Sequence, residues 1–345
     1  MSPNRLFYLL IVVALVVVTG CAPQVVSTPI SSTATLAPTM EASPTIEPTI
    51  EPTVTPEATP TLIPKATKFA GRLLFSRFIE ASHTFTGMFV ADTDGSAETA
   101  VPLPWTEEGW GSWSRSGTEI AVPTLRADGR IGTAIIATDG TMLRELSIPD
   151  VTLNLVCTIW SGDDSRLACE GWDDTDPSRN GIYAVRASDG ADLQRLTTPT
   201  AGKHDLPGDF SSTGQFIFKR HSGDEGPGLI MLVDANGGEP RLLYDGPMED
   251  AGRFSPDGRF VLTSTNGSLM VIGLDGQVVD SISIDGYYAF GPVWSPDGTR
   301  IAFSMTTPGV YRSDIYTSLP DGTDLQRVTN TADNEINVGW GVGSG

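Results

Sequence analysis

Basic residues, cysteine and histidine are all scarce in this 345-residue chain. Lys and Arg number 22 against 42 Asp and Glu, a formal net charge of −20. That balance excludes electrostatic binding to nucleic acid or to an anionic membrane surface, since both need a basic face. Three Cys are too few for a disulfide-built scaffold or a multi-Cys zinc or iron–sulfur site. The three histidines, His83, His204 and His221, form no His-x-x-His or His-Glu-x-x-His array, so no metal and no cofactor is expected. His221, with Asp224 and Glu225, reads as a solvated loop, and Asp173, Asp174 and Asp176 as a second acidic, hydrated one. At 39% hydrophobic the chain is too polar for a polytopic membrane protein. It is rich instead in Gly (37) and Pro (25), with 19% charged residues, which favours many short elements joined by turns.

The first twenty residues pair Arg5 with an apolar run from Leu6 to Val18. As a helix that run spans about 20 Å, short of the roughly 30 Å hydrocarbon core, so residues 1–20 read as a signal peptide. The run ends in Val18-Thr19-Gly20-Cys21, which resembles the lipobox of bacterial lipoproteins. The resemblance implies cleavage before Cys21, lipidation of its thiol, and a membrane held through the N-terminal lipid. The alternative is an uncleaved anchor with an incidental Cys; both place the bulk of the protein outside the cytoplasm. Residues 21–66 are dominated by Thr, Pro, Ser and Ala and keep no apolar period, which predicts a disordered stalk.

From about residue 70 the chain repeats itself. RFSPDGRFVLTST from Arg253 and VWSPDGTRIAFSM from Val293 are close copies, with looser ones from Ser112, Ile159 and Asp209. The leading aromatics are Trp113, Trp160, Phe210, Phe254, Trp294 and Trp340, at intervals of 47, 50, 44, 40 and 46 residues. That period fits a unit of four short strands, with the aromatics packed between neighbouring units. Within a unit the aromatic ends the first strand and Ser-Pro-Asp-Gly makes a hairpin. A second hairpin, at an acid-Gly or Asn-Gly pair such as Asp139-Gly140, joins the third strand to the fourth. The first unit lacks a first strand, whereas Ile336–Trp340 is an orphan at the other end. Placing the orphan in the first unit gives six complete units and a closed ring.

The aromatic-Ser-Pro-Asp-Gly repeat resembles the WD-repeat-like units of TolB-type β-propellers. The expected fold class is therefore all-β: residues 67–345 form a six-bladed β-propeller of four-stranded antiparallel blades, closed by the C-terminal strand. The resemblance implies a monomeric propeller outside the cytoplasm that binds an envelope protein or peptide. Similar propellers precede the catalytic domain of prolyl-oligopeptidase-like enzymes, so fold alone does not fix the use. No Gly-x-Ser-x-Gly elbow occurs, and the roughly two hundred further residues of a peptidase domain are not found after the propeller, so a non-enzymatic protein is expected. The alternative is a propeller-type enzyme or glycan-binding protein working at the channel mouth.

Two sets of residues stand out. Cys157 and Cys169 flank a hairpin centred on Asp163; with Ser161 opposite Ser165 they become cross-strand neighbours, predicting a disulfide or else two buried thiols. Five residues before the leading aromatic stand Glu108, Asp205, Glu249 and Glu335. Inner strands that begin at one end of the channel would set these acids around its mouth, with Tyr287, Tyr288 and Phe290 adding stacking surface. A cation or a basic partner segment would bind there; alternatively the acids answer a conformational need repeated in each unit.

Overall fold

The computed structural model describes residues 63–103, 110–223, 228–307, 309–310 and 312–342. The signal peptide, Cys21 and the stalk to residue 62 lie outside the described residues, as do Glu108, Asp224 and Glu225.

Twenty-four strands are described. In chain order they are β1 (Arg72–Ile79), β2 (Thr84–Asp92) and β3 (Thr99–Val101), then β4 (Ser112–Trp113), β5 (Glu119–Leu125), β6 (Ile131–Ala137) and β7 (Met142–Glu145). The third group is β8 (Asn154–Trp160), β9 (Arg166–Trp172), β10 (Gly181–Arg186) and β11 (Gln194–Arg195). The fourth is β12 (Lys203–Phe210), β13 (Gln215–Ser222), β14 (Gly228–Asp234) and β15 (Arg241–Met248). The last two are β16 (Arg253–Phe254), β17 (Phe260–Thr265), β18 (Ser268–Gly273) and β19 (Val278–Ile282), and β20 (Tyr288–Trp294), β21 (Ile301–Thr306), β22 (Ser313–Ser318) and β23 (Gln326–Arg327). The last described strand, β24 (Asn334–Gly341), pairs antiparallel with β1 and completes the first blade in the order β24-β1-β2-β3. Six four-stranded antiparallel sheets result, the all-β six-bladed propeller expected from the repeat.

The core is a set of layers between blades. Each leading aromatic packs on the blade before its own: Trp160 joins Leu146 and Ile135 of the second blade, Phe254 joins Ile230 and Leu232 of the fourth, and Trp340 joins Ile315 and Ala302 of the sixth. The Ser-Pro-Asp-Gly hairpins are held by a side-chain lock. Ser255 Oγ accepts from the Phe260 amide at 3.0 Å and donates to Asp257 Oδ1 at 2.6 Å, and that oxygen accepts from the Arg259 amide. Ser161 with Asp163, and Ser295 with Asp297, repeat it. The acid-Gly turns lie against the preceding blade. Gly140 has φ +82°, and a Cβ there would stand 2.2 Å from the Pro102 carbonyl oxygen, so both its conformation and its contact require glycine.

Two sequence boundaries shift. Residues 63–66, assigned above to the stalk, belong to the propeller: Lys65 bridges in parallel to Arg327, Arg327 N donates to Pro64 O at 2.8 Å, and Ala66 N to Arg327 O at 2.8 Å. Ile63 and the buried Ala66 pack into the layers on either side of the sixth blade. This extended segment covers the unpaired edge of β23. His221 is not in a loop; β13 runs on to Ser222, so His221 is buried opposite His204 with ring centroids 5.5 Å apart.

Candidate functional site: the central channel

The inner strands of all six blades line one central cavity of about 590 Å³. Most of these strands are broken at one level. Single-residue bulges stand at Thr158 in β8 and Gly208 in β12, and wider register shifts at Gly291-Pro292 in β20 and Asn337-Val338 in β24. In the other two blades β4 and β16 begin only after Gly111 and Gly252. The break falls two or three residues before the aromatic, and it turns the strand so that the aromatic faces the neighbouring blade.

The same device sets the cysteine pair. Ser161 N donates to Arg166 O, so Ser161 opposes Arg166 and not Ser165. The bulge at Thr158 then restores the register, Cys157 faces Cys169, and the two form a fully buried disulfide with S–S 2.07 Å. Asp173, read above as hydrated, is buried: it accepts from the Thr175 amide at 2.9 Å and the Thr175 hydroxyl at 2.7 Å, and these bonds hold its carboxyl well below the usual range, while Arg179 Nη1 donates to its other oxygen at 2.8 Å.

Of the recurring acids, Glu108 lies outside the described residues, and Asp205 and Glu335 do not line the channel. Asp205 lies directly across β13 from Arg220 and takes a bidentate pair from it at 2.7 and 2.8 Å, with its side chain fully buried. Glu335 lies directly across β1 from Arg77, accepts from Arg77 Nε at 2.9 Å and from Thr329 Oγ1 at 2.8 Å, and is equally buried. In these two blades the acid five residues before the aromatic meets a cross-strand arginine, and neither reaches the channel.

Glu249 differs. The Glu249 amide donates to Ser264 O, so its cross-strand neighbour is a serine, and among the described residues no arginine pairs with its carboxylate. Its carboxylate instead accepts from the Tyr288 hydroxyl, and it lines the channel half-buried. Burial pushes the Glu249 carboxyl above its ordinary value, with the adjacent Asp250 acting the same way against the Tyr288 bond. Burial and that carboxylate push the Tyr288 phenol up. Lys219 reaches the same place from β13, its Nζ donating to Glu249 O at 2.7 Å, and burial lowers its pKa. Asp250 accepts from Thr263 Oγ1 at 2.7 Å and Ser264 Oγ at 2.6 Å. Tyr287 is exposed beside this group, and Phe290 lines the channel. Of the six proposed binding residues the structure thus joins Glu249 to Tyr288 and leaves Tyr287 next to them.

No family model matches the chain. It is 32% identical over 77 residues to the Tol-Pal system protein TolB of Methylobacillus flagellatus, covering 21% of this chain and 18% of that protein. With the TolB of Methylococcus capsulatus it shares 32% over 68 residues, 19% of this chain and 16% of that one. The chain thus matches less than a fifth of the length of these curated relatives. Among solved structures, TolB from Acinetobacter baumannii superposes with a TM-score of 0.59 at 18% identity, over 81% of this chain and 68% of that one. Putative TolB from Agrobacterium tumefaciens gives 0.52 at 15%, over 79% and 99%.

The described domain is a TolB-like six-bladed β-propeller.

That fold does not fix chemistry. Hydrazine synthase from Kuenenia stuttgartiensis matches with a TM-score of 0.56 at 11% identity, over 79% of this chain and 47% of that one. The charged groups that sequence reasoning missed in the TolB-like propeller are Arg115, Asp209, Lys219, Asp250 and Arg253, all lining the channel. Arg115, Asp209 and Arg253 lie within two residues of a leading aromatic, which is the signal that would have found them.

Proposed function

We propose that this protein is a lipid-anchored, extracytoplasmic β-propeller that acts as a non-catalytic protein-binding module at a cell envelope, engaging its partner at the channel mouth. The observation that carries the reading is the half-buried Glu249–Tyr288 pair, which lies where the inner strand of the fifth blade begins, beside the exposed Tyr287. A carboxylate and an amphipathic ring at a concave rim are suited to a basic or amide-bearing segment of another protein. The lipobox-like Val18-Thr19-Gly20-Cys21, the disulfide and the likeness to Tol-Pal system proteins support an oxidising compartment outside the cytoplasm.

Crosslinking in the native envelope followed by capture tests the reading. A discrete protein adduct that disappears with Glu249→Lys, while the variant stays folded and membrane-bound, supports it; an adduct pattern indifferent to that change counts against the mouth. Cys21→Ser is expected to move the protein from the membrane to the soluble fraction. The second reading, an enzyme or glycan-binding protein, draws on the meeting of Glu249, Tyr288 and Lys219, a proton-accepting, a phenolic and an ammonium group in one place. It would show turnover, or saturable binding, of a glycan that Tyr288→Phe abolishes.

A further inference from the structure

The channel carries a second polar group, centred on Gly208–Asp209. Arg115, two residues past the aromatic of the second blade, passes over the third blade to pair with Asp209 of the fourth. Arg253, from the fifth blade, donates through Nη1 to Gly208 O at 2.9 Å and to Gly252 O at 3.0 Å. Two guanidinium groups therefore meet at the Gly208–Asp209 dipeptide, and both line the channel. The one carboxylate between them is already engaged. Asp209 is buried, and besides Arg115 it accepts from the Phe210 amide at 2.9 Å and the Phe254 amide at 3.0 Å.

The donors are not used up. Among the described residues no acceptor meets Nε or Nη1 of Arg115, or Nε or Nη2 of Arg253. Arg115 also remains 45% exposed at its side chain. Its position is fixed at the backbone, where the amides of Arg115 and Ser116 donate to Asp164 at 2.6 and 2.9 Å. The charged lining balances as a whole, Arg115, Lys219 and Arg253 against Asp209, Glu249 and Asp250, but at Gly208–Asp209 two guanidinium groups share one carboxylate that is already saturated. The surrounding wall is apolar and aromatic, with Ile159, Phe210, Phe254, Pro292 and Trp294.

We propose that the channel takes a carboxylate borne on an apolar stem, its oxygens received by the free N–H groups of Arg115 and Arg253. A planar guanidinium fork matches a carboxylate in geometry as well as charge, and a low-dielectric wall strengthens the pairing. A cavity of about 590 Å³ is of the size that holds a small ligand or the last few residues of a peptide. The two sources of this chemistry are a polypeptide C-terminus and a small organic acid. The site uses neither Glu249 nor Tyr288, so its test reads separately from that of the protein-binding reading.

The test is a titration of the whole protein in detergent, read by tryptophan emission, since Trp110, Trp113, Trp160, Trp294 and Trp340 line the channel. The probes are N-acetyl-Ala-Leu-Phe with a free carboxylate, the same peptide as its C-terminal amide, and 3-phenylpropionate. At least one free acid is expected to bind saturably. The amide should bind at least about tenfold more weakly, the loss that goes with a charge-assisted hydrogen bond. Binding of the peptide acid alone assigns the site to a C-terminus, and binding of 3-phenylpropionate alone to a small acid. Arg115→Gln and Arg253→Gln should each weaken the acid by a similar factor, with the melting temperature of each variant showing that it is folded at the temperature of the titration. Equal binding of acid and amide, no binding of either acid, or binding indifferent to both substitutions would overturn the proposal.

Discussion

Arg77 Nε donates to Glu335 Oε1 at 2.9 Å, across 258 residues of sequence and between strands from the two ends of the propeller. The pair is buried, Glu335 completely and Arg77 to within 11% at its side chain. Arg77 also reaches Glu98 through both Nη atoms and stacks over Phe89 at 4.1 Å. It therefore ties three strands of the first blade together. Removing one member of a buried pair strands the other, at a cost of about 3–5 kcal/mol. Arg77→Ala is expected to lower unfolding free energy in urea by that order, and the double change Arg77→Met with Glu335→Leu by less than Arg77→Ala alone.

The hairpin locks predict an acid limb in the stability curve. The Ser255 hydroxyl and the Arg259 amide lower the Asp257 carboxyl to about 2, and the equivalent bonds from Ser161 and Ser295 lower Asp163 and Asp297. A carboxyl with a depressed folded value stabilises above its unfolded value, near pH 4, and loses that contribution as pH falls through the folded one. Thermal melts should therefore decline steeply between about pH 4 and pH 2. The triple variant Asp163→Asn, Asp257→Asn, Asp297→Asn should melt lower at neutral pH and show a flatter acid limb.

Glu249 predicts the opposite sign. Its folded value is raised, so the folded state holds the proton more tightly than the unfolded chain does. Its contribution is fullest below the unfolded value and falls as pH rises through the folded one. Relative to the parent, Glu249→Gln should become more stable between about pH 4 and pH 7, as denaturation at the two pH values would show. Tyr288→Phe removes a hydrogen bond that favours the ionised form, and should push the Glu249 titration in carboxyl NMR further up.

The disulfide joins Cys157 to Cys169, 12 residues apart. Thiol titration of the unfolded protein should find neither sulfur free without reductant and both free with it. A loop of this length implies a loss of about 3 kcal/mol in the Cys157→Ala, Cys169→Ala variant.

Much of the architecture was legible because each blade repeats the same physical solution. The aromatic, the Ser-x-Asp lock and the acid-Gly turn are local, and an orphan strand at one end with a missing one at the other gives the closure. The breaks in the inner strands carry a partial signal, since Gly111, Gly208 and Gly252 each stand two residues before the aromatic, but Thr158 holds that place in the third blade and hides the bulge there. That is why the hairpin at Asp163 has a register one residue away from the one expected, and reaches the same cysteine pairing only through the bulge at Thr158. Asp205 and Glu335 miss the channel for a different reason. Spacing places them at the start of the inner strands but does not say that Arg77 and Arg220 stand opposite them. Glu249 is left for the channel because Ser264 stands across from it.

The account depends most on ring closure by β24, since without it there is no channel. Trp340 of that strand donates its indole N–H to Ala70 O at 3.0 Å and packs into the layer between the sixth and first blades. The most direct measurement is the melting of a chain ending at Ala332, with and without a synthetic peptide of residues 333–345. A large drop in melting temperature, recovered as the peptide binds, is the predicted result. A chain that melts as the parent does without the peptide would contradict the closure, and with it the channel as a site.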